Sequence, residues 1–295
     1  MLSLEDLSSL LAKYPNLGSL PTPGFLLNGR NFDFSERSYL MGVLNLSPDS
    51  WYRESVCLSA DRAIQRGRVL MAQGADVIDV GAESSLAHAS LASADLQRSQ
   101  LLPVVSELAK TGTVVSVETY HPSVTEACLE AGAKILNLTG VAGSEEMFRM
   151  VADHDAAVII CFVQGNNVRD VSDLNLGSDF IPTLEDFFRR QIDLARSLGV
   201  TRIFIDPGLG FYYRNLQDSA QRIRHQTQVF LNTFRLKSLG CPICHALPHA
   251  FECFGEEVRC AEPYFAVLAA LGKTNLFRTH EIPKVKAVLE TMAFC

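Results

Sequence analysis

The chain has 295 residues, a formal charge of −7, and 47% hydrophobic and 20% charged residues. That composition excludes a disordered chain, and the acidic balance argues against a general nucleic-acid binder while leaving room for a local basic pocket. The longest unbroken apolar run, Ala156 to Val163, is far short of a membrane span. Glu5 and Asp6, with no basic cluster ahead of an apolar stretch, read as no secretory signal, and eight cysteines placed mostly in apolar segments suit a reducing cytoplasm.

In chain order, Ser3 opens a short amphipathic helix with Asp6 as its capping-box partner. A Pro/Gly-rich stretch, Pro15 to Gly24, separates this extension from the rest. Asn28-Gly29 between the apolar arms Phe25–Leu27 and Phe32–Phe34 predicts a β-hairpin, because both turn positions need positive φ. Eight short apolar runs follow: Tyr39–Asn45, Asp76–Val80, Thr113–Val117, Lys134–Leu138, Ala156–Phe162, Arg202–Asp206, Pro242–Leu247 and Asn275–Thr279. Their composition suits strands buried on both faces. Helical periods such as Ala60–Gln73, Val124–Ala131 and Leu184–Leu198 lie between them, and Gly74, Gly132 and Gly199 stop those helices. Strict β-then-α alternation favours a closed (β/α)8 TIM barrel over a doubly wound open sheet, with the hairpin as a plug on one end. Residues 1–24 are then an N-terminal extension and residues 25–295 one barrel domain.

Chemistry in such a barrel sits at the C-terminal ends of the strands. Those ends carry Asn45, Glu83, Glu118, Asn137, Gln164, Asp206, His245 or His249, and Arg278 with His280. Each alone could be a satisfied cap or turn residue, as Asp206-Pro-Gly could. Together they point to a polar ligand. Carboxylates beside amides suit a flat heterocycle with a guanidine-like edge, whose N–H groups need acceptors. Arg278 and His280 project to one face of the last strand and make an anion clamp, with Asn45 reaching in from the adjacent first strand. The loop Ser47 to Tyr52, with exposed aromatics, could close over a bound ring.

These residues resemble the dihydropteroate synthases. Met41-Gly-Val-Leu-Asn45-Leu-Ser-Pro48-Asp49-Ser50 is similar to their MGILNVTPDSF, and Gly74 to Ser84 to GADIIDIGGEST. Ser116-Val-Glu118-Thr-Tyr120, Ala133 to Asn137, Ile205-Asp206-Pro-Gly-Leu-Gly210-Phe211 and Arg278-Thr-His280-Glu281 resemble SVDTY, IIND, LDPGIGF and RVHDV, in family order. The resemblance implies a homodimeric transferase of folate biosynthesis that joins a dihydropterin-methyl diphosphate to 4-aminobenzoate with Mg²⁺ and releases diphosphate. It implies that Glu118, Asn137 and Asp206 bind the pterin ring, and that Asn45, Arg278 and His280 serve the diphosphate and the metal. Glu83, Ser85, Gln164 and His249 are placed with them as substrate-binding positions.

The departures are as informative. The SVDT aspartate is Glu118, the IND aspartate is Leu138, and the strand-five histidine of MHMQG is gone from Cys161-Phe-Val-Gln164-Gly165. Ser85-Leu-Ala-His88 stands where the family has Arg-Pro. On strand seven the family's lysine and arginine are missing, and no Lys or Arg lies between Lys237 and Arg259. A diverged pterin-binding homologue with a different acceptor, or a non-catalytic partner of an active synthase, are the alternatives. Cys241-x-x-Cys244-His245 has c-type haem spacing, and Cys241, Cys244, His249 and Cys253 nominally make a zinc set. Residues three apart on a strand point to opposite faces, so buried core cysteines are the expectation, with His249, and His245 as an option, facing the pocket.

Overall fold

The structure is a computed structural model and describes residues 2–50, 52, 55–84, 89–177 and 179–294. Helix α1 (Leu4–Lys13) has the expected capping box, Ser3 and Asp6 bonding reciprocally. The extension lies on the barrel: Leu7 and Leu10 pack against its core, and Lys237 Nζ donates to the Gly18 carbonyl at 3.0 Å. The hairpin pairs β1 (Phe25–Leu27) with β2 (Arg30–Phe32), Phe25 opposite Phe32. Asn28 and Gly29 take φ of 51° and 73°, the left-handed pair that a two-residue turn of this hand requires.

The barrel strands and their following helices run β3 (Tyr39–Asn45), α2 (Ala60–Ala72), β4 (Val77–Gly81), α3 (Ala94–Lys110), β5 (Val114–Thr119), α4 (Pro122–Glu130), β6 (Ile135–Leu138), α5 (Ser144–Asp153) and β7 (Ala157–Cys161). A small antiparallel pair, β8 (Gly165–Asn167) and β9 (Asp170–Val171), precedes α6 (Ile181–Ser197). Then come β10 (Arg202–Asp206), α7 (Ser219–Asn232), β11 (Cys244–Ala246), a short α8 (Phe251–Phe254), α9 (Ala261–Leu271), β12 (Leu276–Thr279) and α10 (Ile282–Met292). Eight parallel strands pair in the order β10-β7-β6-β5-β4-β3-β12-β11. A parallel bridge from Ile205 to Ile243, with Ile205 N donating to the Pro242 carbonyl at 3.1 Å, closes the ring. All eight strands lie within two residues of the runs read from sequence.

Alternation along each strand divides the core in two. Leu40, Leu44, Ile78, Val80, Val115 and Val117 face outward under the helices. Tyr39, Met41, Val77, Val114, Ile135, Ala157, Ile159, Phe204 and Leu276 face inward. Both faces are therefore dry, which is why the strands read as continuous apolar runs. The hairpin closes the N-terminal end of the barrel: Phe25 and Phe34 meet Phe204 edge-on at 5.3 and 5.7 Å, and Phe32 lies 4.7 Å from the Tyr39 ring. With that end sealed, the inward positions one and two steps further up each strand form the floor of the opposite, open end.

Candidate active site

Those upper inward positions are polar. Asp79 on β4 stands beside Ser116 on β5, and Glu118 on β5 beside Asn137 on β6. Asp206 ends β10 next to Cys161 of β7. Arg278, from β12, reaches past β3: its Nε donates to Asp79 Oδ2 on β4 at 2.7 Å and its Nη2 to Glu118 on β5. Asp79 also accepts from Ser116 Oγ at 2.6 Å and from Asn137 Nδ2 at 3.1 Å, and the Cys161 thiol donates to Asn137 Oδ1 at 3.2 Å. One guanidinium thus pairs with two carboxylates, with that of Asp206 near enough to feel its charge.

Burial pushes the Glu118 carboxyl up to about 7, with the charges of Asp79, Asp206 and Glu83 adding to it and Arg278 opposing. Burial raises Asp206 to about 6 although the Gly208 N–H donates to its Oδ1 at 2.8 Å. That N–H is aimed by Gly208 at φ 74°, where a Cβ would sit 2.3 Å from the Phe162 carbonyl. For Arg278 burial works against the charge, but Glu118 and Asp79 outweigh it and hold the guanidinium protonated. The floor is an acid-rich, proton-poised surface.

A second cluster stands on the rim. Glu262, in the first turn of α9 and 0% exposed, accepts from His249 Nε2 and His280 Nδ1, both 2.7 Å from its Oε1. Its Oε2 accepts from Thr279 Oγ1 and from the N–H groups of His280 at 2.9 Å and Glu281 at 3.2 Å. The carboxyl is buried, yet the two imidazoles hold it below the ordinary range. Burial drives His249 down to about 4 in spite of Glu262, so it is neutral near pH 7. Tyr52 stacks on His280 with ring centroids 4.5 Å apart, and its hydroxyl donates to Glu281, which Arg259 Nε also meets at 2.5 Å.

Floor and rim share one open cavity, about 950 Å³ counting the solvent in its mouth, lined among others by Asn45, Glu83, Glu118, His249, Arg278 and His280. Asn45 Nδ2 donates to Ser55 Oγ at 2.6 Å, and Ser55 Oγ donates onward to the Tyr52 carbonyl at 2.8 Å. That chain of donors assigns the amide orientation and turns Oδ1 into the acceptor. A single neutral oxygen at a cavity wall fits Mg²⁺, which takes few protein ligands where a substrate supplies phosphate oxygens. Glu83 is fixed by Tyr120 Oη at 2.7 Å and the Ala92 N–H at 2.9 Å. The opposite wall is formed by Phe211, Tyr212, Phe251 and Arg222, whose Nη2 donates to Glu252 at 2.6 Å.

Asn137, level with Glu118 on the adjoining strand, and Asp206 stand in the floor, 3% and 4% exposed and outside the lining of the open cavity. Other expectations are corrected. Gln164 leaves β7 toward the β8–β9 pair, its carbonyl accepting from Ser172 N at 2.7 Å, and does not line the cavity either. His245 points outward, 0% exposed against the Phe230 ring with Nε2 2.9 Å from Thr233 Oγ1, because β11 parity sends Cys244 inward instead. Tyr52 is not an exposed aromatic but 2% exposed. Cys241 and Cys244 are buried as expected, whereas Cys253 is exposed. Ser85, with Leu86 to His88, and Trp51 lie outside the described residues. Asp79, Glu262 and Arg222 were not singled out from sequence. For Asp79 the signal existed: a carboxylate inside an apolar strand run.

The family model of pterin binding enzymes matches residues 41–246. A dihydropteroate synthase from Synechocystis is 30% identical over 216 residues, 72% of each chain, and one from Clostridium beijerinckii 30% identical over 74% of this chain and 76% of its own. Among solved structures, dihydropteroate synthase from Thermus thermophilus superposes with a TM-score of 0.76 at 25% identity, covering 92% of this chain and 99% of that one. The closed barrel, the polar floor at its open end and the span of the match agree. The chain belongs to the pterin-binding enzyme family, alongside the dihydropteroate synthases.

Proposed function

We propose that the chain is a dihydropteroate synthase-type transferase of folate biosynthesis, condensing a dihydropterin-methyl diphosphate with 4-aminobenzoate and releasing diphosphate. The observation that carries this reading is the buried set of Asp206, Asn137, Asp79 and Glu118 around one arginine at the open end of the barrel. A pterin edge rich in N–H donors finds acceptors in Asp206 and Asn137, and the shifted carboxyls ionise as those donors arrive. To admit the ring, Arg278 leaves Glu118 and turns toward the diphosphate, which uncovers the two buried acceptors beneath it. The methylene C–O bond then breaks, the amine nitrogen of the acceptor bonds the carbon and loses a proton, and diphosphate departs into the field of Arg278. Mg²⁺, when bound, supplies further positive charge to the leaving group, and Asn45 Oδ1 would hold it. His249 and His280, on the rim, are the remaining polar contacts for diphosphate oxygens.

The acceptor side rests on Phe211, Tyr212 and Phe251, which offer a slot for an aryl ring, and on Arg222 as the cation for its carboxylate. The Thermus thermophilus relative is described in complex with 4-aminobenzoate. The same reading carries a homodimer and a cytoplasmic compartment, in keeping with the resemblance and with free buried thiols. Among the described residues no helix is long and apolar enough to cross a membrane.

One observation favours a second reading. Residues 238–258 hold no lysine or arginine, and Arg222 is already tied to Glu252. A pterin-binding homologue with another acceptor, or a non-catalytic partner subunit, is what those features suit. Calorimetric titration of the Mg²⁺-supplied chain with dihydropterin-methyl diphosphate, followed by 4-aminobenzoate with diphosphate release measured, separates the readings. Binding with release supports the synthase. Binding without release points to another acceptor, and no binding to a non-catalytic role.

A further inference from the structure

An anion pocket does not by itself call for Glu262. This carboxylate is buried, ionised, and placed directly against both imidazoles that face the cavity. Negative charge behind the rim works against a bound anion, and a cation between the two would reconcile them. The ligand chemistry for that cation is present: His249, Glu262 and His280 each offer one donor atom, and the three atoms lie within 4.8 Å of one another. They come from three elements, the loop after β11, the first turn of α9 and the end of β12, so the packing of the rim sets their geometry.

We propose that His249 Nε2, Glu262 Oε1 and His280 Nδ1 bind one divalent transition-metal ion, Zn²⁺ by preference, with its remaining coordination open to the cavity. Two imidazoles and one carboxylate are the donor set of open, three-ligand zinc sites, whereas Mg²⁺ prefers oxygen throughout. With bonds of roughly 2.0–2.1 Å, tetrahedral donors stand about 3.3 Å apart. Each imidazole nitrogen, now 2.7 Å from Oε1, backs away by a fraction of an ångström, and the two nitrogens, within 4.8 Å of each other, close toward that spacing to admit the ion. The outer shell is in place: Thr279 Oγ1 and the N–H groups of His280 and Glu281 hold Oε2, the His280 N–H also reaching Oε1 at 3.2 Å, and keep Oε1 turned to the two histidines. The neighbouring cations are paired, Arg278 with Asp79 and Glu118 and Arg259 with Glu281. This site is separate from the Mg²⁺ position at Asn45 and does not depend on the synthase reading.

The test is titration of the chelator-stripped, dialysed full chain with Zn²⁺ alone, and with Co²⁺ as an absorbing probe. The expected result is one ion per chain, retained against excess Mg²⁺, with Co²⁺ bands of nitrogen and oxygen ligation and no thiolate charge-transfer band. His249→Gln and Glu262→Gln each lower the affinity at least tenfold, while the double variant Cys253→Ser, Cys260→Ser leaves it unchanged. Sub-stoichiometric binding overturns the site. So does binding that survives His249→Gln and Glu262→Gln, or that follows the exposed cysteines. The Co²⁺ spectrum of the unmodified chain decides the matter even where a variant fails to fold. No substrate enters this titration, so its failure leaves diphosphate release as the independent measure of the synthase reading.

Discussion

Arg278 Nε lies 2.7 Å from Asp79 Oδ2, an ion pair that joins the last barrel strand to the second over the first, which lies between them. The same guanidinium also meets Glu118. A residue whose place in sequence suggests an anion clamp is thus, without ligand, the counter-charge of an acidic floor. Ligand entry and the release of this pair are one event in the proposed reaction.

Arg278→Ala leaves Asp79 and Glu118 without their cation. Breaking a buried pair from one side costs about 3–5 kcal/mol, and the loss is smaller at pH 5 than at pH 8, because Glu118, raised to about 7, can take up a proton. Denaturant melts at the two pH values check this. In binding, the diphosphate form is expected to lose far more affinity than the bare pterin. Equal losses would confine Arg278 to a structural part of the floor.

Asp206→Asn is expected to weaken pterin binding by one to two orders of magnitude, since a bond to a charged acceptor is worth about 1.5–3 kcal/mol. Its effect on the empty protein has the opposite sign. An acid whose folded-state pKa is raised keeps more protons folded than unfolded, so its contribution falls as pH climbs from its ordinary range through the raised value. For Asp206 that window ends near 6, and for Glu118 near 7. His225, His245 and His249, lowered by burial to about 4, 3 and 4, act the other way over pH 4 to 6.5. The clean measurement is therefore variant minus parent: Asp206→Asn gains relative stability between pH 4 and pH 7, by up to about 3 kcal/mol. A flat difference would mean that Asp206 titrates normally.

Arg222→Ala is expected to raise the KM for 4-aminobenzoate about tenfold, the loss of roughly 1.4 kcal/mol, with pterin-diphosphate affinity unchanged. Steady-state kinetics beside a pterin-only titration provide the comparison. An unchanged KM would put the acceptor carboxylate elsewhere on the rim.

Phe32→Ala removes a fully buried ring from the plug, where it packs on Tyr39 at the sealed end. Chemical denaturation is expected to show a loss of about 3–5 kcal/mol. Pterin affinity, measured below the transition, stays put, because the floor is built from other strand positions.

The barrel was legible because its signals are local. Strands dry on both faces read as unbroken Val/Ile/Leu runs, Gly74, Gly132 and Gly199 carry the positive φ that ends their helices, and Asn28-Gly29 allows one turn type. Six site positions, Asn45, Glu83, Glu118, His249, Arg278 and His280, were legible as residues on the cavity wall for the same reason: strand ends of a closed barrel converge. What those side chains do to one another was not written locally. Arg278 and Asp79 are 199 residues apart, and only the pairing of β12 on β3, with β4 on its other side, makes them partners. Glu262 reads in sequence as an ordinary first-turn acid, the kind a helix start welcomes, yet the packing of α9 behind β12 places it between two imidazoles. His245 and His249 are equivalent by composition and share one parity, and the end of β11 at Ala246 separates them: the first stays on the strand and faces the core, while the second lies in the loop on the rim. Periodicity determined the scaffold of this protein, because burial imposes it residue by residue. Charge pairing and ligand geometry were decided by tertiary structure alone, because they depend on distances between elements that no single segment encodes.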